Sequence, residues 1–184
     1  MKYKNKKVFT LVEILLVVGF IALASLGIYM VYAKVNKANL ALQESKNINV
    51  IKAGIKNLYG ASQGYNGLNN SVLNDARATP DSMRVVPYTS PDSTITNTFG
   101  GAVLITPTVL GGAGLNNGFR ISYAKVPGEV CSKLVPMMDK NIEQITVNSV
   151  IVKAYGTGNL NIATLATNCG ADTGNGVDIL FDSL

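Results

Sequence analysis

Glu13 is the residue whose position most needs a chemical explanation. It follows Leu11-Val12 and precedes an uncharged run from Ile14 to Ala33. An acidic side chain in such a helix costs on the order of 2.5–3.5 kcal/mol at mid-bilayer and less near an interface. Either Glu13 reaches the headgroups and water, or it meets a cationic partner inside the apolar layer. The two thiols are Cys131 and Cys169. They are too few for a four-thiolate metal site, and they are not in a Cys-x-x-Cys arrangement. The chain has no His, which removes Ser-His-Asp and Cys-His catalysis and His-containing zinc sites. Gly111-Gly112-Ala113-Gly114 lacks the Gly-Lys-Ser/Thr of a phosphate loop and reads as a turn. The Asp and Glu residues show no metal-loop spacing. The residue set points to no metal, no cofactor and no enzyme.

The charge is unevenly placed. Lys and Arg total 16 against 11 Asp and Glu, for a net +5, but Lys2, Lys4, Lys6 and Lys7 all precede residue 8. The rest is close to neutral, so the basic balance does not argue for nucleic acid. As a helix, segment 14–33 rises about 30 Å, the thickness of a bilayer's hydrocarbon core. Four Lys before it against Lys34 and Lys37 after it place the N-terminus in the cytoplasm and the rest of the chain beyond the inner membrane. Hydropathy alone leaves a signal anchor open. A cleaved secretory signal has a shorter apolar region than this one.

Lys6-Lys7, then Phe9-Thr10-Leu11-Val12-Glu13-Ile14-Leu15-Leu16-Val17-Val18, resembles the leader junction of type IV pilins and pseudopilins. The resemblance implies cleavage by a prepilin peptidase between Val8 and Phe9, on the cytoplasmic side of the apolar run. It implies N-methylation of Phe9. It also implies that the Glu13 carboxylate pairs with the N-terminal amine of a neighbouring subunit during filament assembly. Pairing would neutralise two groups that are each expensive alone in an apolar medium. Val8 stands where the family carries Gly, and a β-branched residue restricts the backbone bend that Gly permits.

The elements that must carry these residues follow from periodicity. Val35, Ala38, Leu42, Ser45, Ile48, Ile51, Ile55 and Leu58 recur at steps of three and four, with Glu44, Asn47 and Lys52 among the residues assigned to other faces. The spacing predicts one helix from Thr10 to Tyr59, about 75 Å long, stopped by Gly60. Ser71–Arg77 reads as a short helix capped by Asn70 or Ser71. Pro80, Pro87 and Pro91 break regular structure. Ala102–Thr106 and Phe119–Tyr123 read as an antiparallel hairpin. Gly128–Asn141 reads as a helix with Val130, Leu134 and Met137 on one face, which Pro136 kinks or ends. Ile145–Ala154 reads as one strand, Leu160–Asn168 is ambiguous, and Val177–Phe181 reads as a terminal strand.

The expected fold class is therefore α+β: a leader at 1–8, a long helix at 9–60 with its membrane half at 14–33, and a head at 61–184. The head is an antiparallel sheet packed on the outer half of the helix. Beyond the membrane, Cys131 and Cys169 read as one disulfide. Its loop of about 39 residues is worth about 4 kcal/mol on the chain-entropy scale.

Asn97-Thr98-Phe99-Gly100-Gly101-Ala102, Gly118–Tyr123, Val126-Pro127 and the Cys pair are similar to type IVb pilins, the bundle-forming, toxin-coregulated and conjugative thin-pilus group. That resemblance implies a homo-oligomeric helical filament handled by prepilin peptidase and the pilus assembly machinery. The precursor would sit in the inner membrane with its head in the periplasm. The assembled pilus would be extracellular and would touch host or bacterial surfaces. A minor pilin, a secretion-system pseudopilin and a membrane-anchored periplasmic module that never polymerises are the alternatives.

Overall fold

The computed structural model describes residues 10–84, 93–112 and 114–184. The positions of Val8, Phe9, Pro87 and Pro91 lie outside these. Helix α1 is Leu11–Tyr59. The chain divides into two units, Met1–Lys37 and Ala38–Leu184.

In the first unit α1 is apolar on every side from Ile14 to Tyr32, with Ser25 the one polar side chain. Its large apolar side chains from Leu11 to Tyr32 are all at least 50% exposed. A helix that is apolar all round belongs in a membrane or among other apolar helices.

In the second unit, the rest of α1 lies against a five-stranded antiparallel sheet. The strands are β1 Val103–Thr108, β2 Gly118–Val126, β3 Gln144–Val147, β4 Val150–Lys153 and β5 Val177–Ser183, in the order β1-β2-β5-β3-β4. Three helices complete it: α2 Asn70–Asp75, α3 Gly128–Met138 and α4 Ile162–Gly170. Ile48, Ile51 and Ile55 enter one core with Phe119, Ile121, Tyr123, Ile145, Ile179 and Phe181.

The buried stripe of α1 matches the predicted one only in part. Ser45, Ile48, Ile51 and Ile55 of that stripe are buried, and Ala41 and Glu44 join them, whereas Val35, Leu42 and Leu58 are 53%, 46% and 43% exposed. The three- and four-residue steps hold from Ile48 to Ile55, and before that the buried row runs through Ala41 and Glu44 instead of Leu42.

Four local expectations need correction. The cap of α2 is Asn69, whose side chain accepts from the Val72 N–H at 3.0 Å, and Asn70 is the first helical residue. Met137 is exposed, and Val135 and Met138 fill the core in its place. Pro136 sits inside α3, which continues to Met138 before a 3-10 turn at Asp139–Asn141. The segment 145–154 is a hairpin, because Asn148 and Ser149 have φ of 48° and 67°. Two successive positive values make a type I′ turn, the tight link between antiparallel strands. The ambiguous stretch after Leu160 is α4, capped by Asn161, which accepts from the Thr164 N–H at 3.0 Å.

Candidate functional site

Glu13 lies in the first turn of α1. Its N–H donates to the Thr10 carbonyl at 3.0 Å and to Thr10 Oγ1 at 3.3 Å. Thr10-x-x-Glu13 thus has capping-box spacing, with the hydroxyl half formed. A carboxylate at this position also faces the positive end of the helix dipole. Further along, the absent side chain of Gly27 opens a shallow apolar groove with Ile28, Val31, Tyr32 and Val35. Small residues of this kind let helix backbones approach closely in apolar surroundings.

The head has a second polar centre, around Glu44. Although this residue is 0% exposed, its sequence context reads as a solvated face. Its Oε1 accepts from the Thr98 N–H at 2.9 Å and from the Thr98 hydroxyl. Its Oε2 accepts from Tyr123 Oη at 3.2 Å and Asn47 Nδ2 at 3.2 Å. Burial, then the charge of Glu44, pushes the Tyr123 phenol well above its ordinary range.

The segment Asn97–Ala102 exists to present Thr98 to this carboxylate. Asn97 Oδ1 accepts from the N–H groups of Phe99 at 3.0 Å and Gly101 at 2.9 Å, and its Nδ2 donates to the Ala124 carbonyl at 2.7 Å. A Cβ on Gly101 would stand 1.8 Å from that carbonyl oxygen, so only Gly lets this turn lie on β2. The motif is a clamp between α1 and β2 and holds no reactive group.

Cys131 and Cys169 form a disulfide with Cα atoms 5.7 Å apart, tying α3 to α4. Beside it, Asp172 accepts from the N–H groups of Gly128 at 2.9 Å, Gly174 at 2.8 Å and Gly176 at 2.9 Å. These bonds hold its carboxyl below the usual range. A cleft of about 550 Å³ lies over this loop, lined by Phe99, Lys125, Pro127, Asp172, Gly174 and Gly176.

Two ion pairs brace the sheet. Arg120 grips the buried Asp182 through Nε at 2.7 Å and Nη2 at 2.8 Å. Lys153 is 7% exposed, donates to the carbonyls of Asp139 and Ile142, and forms an ion pair with Asp139 Oδ1 at 3.1 Å. It therefore ties together the two ends of the 3-10 turn that follows α3. Among the described residues, no three His, Cys, Asp or Glu side chains are grouped to hold a metal.

The family model described as PilS N terminal matches residues 38–181, most of the chain and nearly all of its head. The chain belongs to the PilS family. This is a family of pilin subunits, not of enzymes. Solved pilin structures share the fold. A type IVb pilin from Salmonella typhi is 24% identical, with a TM-score of 0.60 over 76% of this chain and 96% of that one. TcpA, a type IV pilin from the El Tor biotype of Vibrio cholerae, is 16% identical, with a TM-score of 0.55 over 81% of this chain and 99% of that one. No curated protein matches the chain. The expected α+β pilin architecture, a long N-terminal helix packed on an antiparallel sheet, is the one observed.

Proposed function

We propose that this pilin is a polymerising subunit of a type IVb-like pilus, drawn through its N-terminal helix from the inner membrane into a filament on the cell surface. The observation that carries this reading is the first part of α1, apolar on all sides and exposed throughout, with one carboxylate at its start. A bilayer satisfies such a surface before assembly, and the same helices of neighbouring subunits satisfy it afterwards. Prepilin peptidase would cut between Val8 and Phe9, and Phe9 would carry the N-methyl group. The new amine of one subunit would pair with Glu13 of another, so that neither charge remains alone in the apolar core. The assembled surface would support adhesion, aggregation or conjugative contact.

Val8 favours one competing reading, an uncut, membrane-anchored head that never polymerises. One experiment separates the two. The mass of the N-terminal peptide from sheared surface material is expected to be that of N-methylated Phe9. An intact leader in all cellular material, with no filaments sheared off, would overturn the filament reading. Glu13→Ala is expected to leave membrane insertion intact and abolish filament yield. An unchanged yield would refute the pairing role of Glu13.

A further inference from the structure

The chain holds three Asn-Gly pairs: Asn66-Gly67, Asn117-Gly118 and Asn175-Gly176. Asn-Gly is the dipeptide in which the following backbone nitrogen most easily reaches the side-chain carbonyl carbon. The nitrogen of Gly loses its proton and forms a bond to Asn Cγ, the Cγ–Nδ2 bond breaks and ammonia leaves. Water then opens the cyclic imide to aspartate or isoaspartate. The step needs no reactant besides water. It does need a free glycine nitrogen, a mobile turn and stabilisation of the charge that develops on Oδ1.

The three pairs differ in each requirement. At Asn175 the nucleophile is engaged, because the Gly176 N–H donates to Asp172 Oδ1 at 2.9 Å. Pulling a proton from a nitrogen held against a carboxylate is unfavourable. A Cβ on Gly176 would also stand 2.4 Å from the Lys125 carbonyl carbon, so this backbone has no room to turn. At Asn117 the electrophile is pinned. Its Oδ1 accepts from the Leu110 N–H at 2.8 Å and its Nδ2 donates to the Leu110 carbonyl at 2.9 Å. Gly118 is buried as the first residue of β2, with the Ser183 carbonyl 2.8 Å from where its Cβ would be.

Asn66 is arranged in the opposite way. Asn66 and Gly67 are both exposed and are the central residues of a turn closed by the Leu68 N–H on the Tyr65 carbonyl at 3.2 Å. Gly67 has φ +80° and nothing within 4 Å of its Cβ position, so this side of the turn faces open space, and one long bond from Asn69 Nδ2 to the Gly67 carbonyl, at 3.2 Å, restrains it. Asn116 Nδ2 donates to Asn66 Oδ1 at 2.7 Å, on the oxygen that becomes negative when Gly67 attacks.

We infer that Asn66-Gly67 is a self-modification site, at which the folded chain converts Asn66 to aspartate or isoaspartate with Asn116 as the assisting donor, while Asn117 and Asn175 are protected by the fold. The inference holds whether or not the chain polymerises. The product adds a negative charge and, as isoaspartate, an extra backbone carbon beside Tyr65. The Tyr65 N–H is held by the Asn116 carbonyl at 2.8 Å, and its ring packs on Phe119 with centroids 5.0 Å apart.

The test uses the full-length chain in detergent, aged in mildly alkaline buffer, digested and mapped by mass spectrometry with an isoaspartate-specific methyltransferase. The peptide containing Asn66 is expected to convert about tenfold faster than those containing Asn117 and Asn175, the rate equivalent of roughly one to two lost interactions. Asn116→Ala is expected to slow it by about fivefold. Asp172→Ala is expected to accelerate conversion at Asn175 and leave Asn66 unchanged. Equal rates at the three sites would overturn the inference, as would faster conversion at Asn117 or Asn175. An Asn116→Ala chain that keeps its circular dichroism spectrum and converts at the original rate would remove the assisting role.

Discussion

Replacing Glu44 tests whether the head is held to α1 by its polar clamp as well as by apolar packing. The carboxylate is fully buried and accepts four hydrogen bonds, from the Thr98 N–H and hydroxyl, Tyr123 and Asn47. Glu44→Ala removes the acceptor of the exposed Thr98, whose N–H water can still reach, and leaves the buried Tyr123 hydroxyl only the weak acceptor Met83 Sδ at 3.8 Å, at about 1–3 kcal/mol for that buried donor. Relief from burying a carboxylate offsets part of that loss. The expected net cost is about 2 kcal/mol, equivalent to roughly 4–8 °C in a chain of this size. Glu44→Gln keeps one acceptor for Thr98 and lets its amide donate to the Tyr123 oxygen, so it is expected to cost only about 1 kcal/mol. The assay is thermal unfolding in detergent of the single variants, of Thr98→Val, and of the Glu44→Gln/Thr98→Val double variant. Coupling between Glu44 and Thr98 is expected to exceed about 0.5 kcal/mol. Full additivity, or a Glu44→Ala cost under about 1 kcal/mol, would refute the clamp and leave the apolar contacts of Ile48, Ile51 and Ile55 as the whole attachment.

Three further outcomes are expected. The double variant Cys131→Ser/Cys169→Ser should lose about 4 kcal/mol, as should the wild type under reduction, read by denaturant unfolding; equal stability with and without reductant would show that the cross-link constrains nothing. The lowered carboxyl pKa of Asp172 supplies stability above its ordinary value of 3.8, which is lost as pH falls through the folded-state value. Asp172→Asn should therefore flatten that part of the acid limb in a plot of melting temperature against pH, and an unaltered limb would contradict the assignment. Asn70→Ala should destabilise by about 2–3 kcal/mol and raise light scattering on heating. The reason is that Asn70 Oδ1 accepts from the Ile105 N–H at 2.8 Å and its Nδ2 donates to the Val103 carbonyl at 2.8 Å, filling the outer edge of β1 as a neighbouring strand would.

The long helix, the β1–β2 hairpin and the terminal strand were legible because hydropathy and alternation are strong there. The turn at Asn148-Ser149 was not, because Asn-Ser is a weaker turn signal than Asn-Gly and β-branched residues flank it on both sides. Glu44 was missed although a signal existed. It lies three residues after Ala41 and four before Ile48, on the row that enters the core, but the predicted stripe runs through Leu42 and Ser45, and its charge placed it with the solvated residues. The family motif at Asn97–Ala102 was visible as letters, but its purpose required the distances from Gly101 to Ala124 and from Thr98 to Glu44. Asp172 gave no signal, since its partners are three backbone N–H groups. The Cys pair was readable from residue count and compartment.

The sheet order carries a consequence for how the subunit is made. Strand β5 comes after the other four strands in sequence, yet it lies in the middle of the sheet between β2 and β3. Phe181 pairs with Ile121 on one side and Ile145 on the other. Until Val177–Ser183 has been made, the two hairpins have no strand to join them. The head therefore closes only once β5 is available, and its distant pairings make that step slow. A chain that stops before β5 lacks the joining strand, so its two hairpins cannot form one sheet.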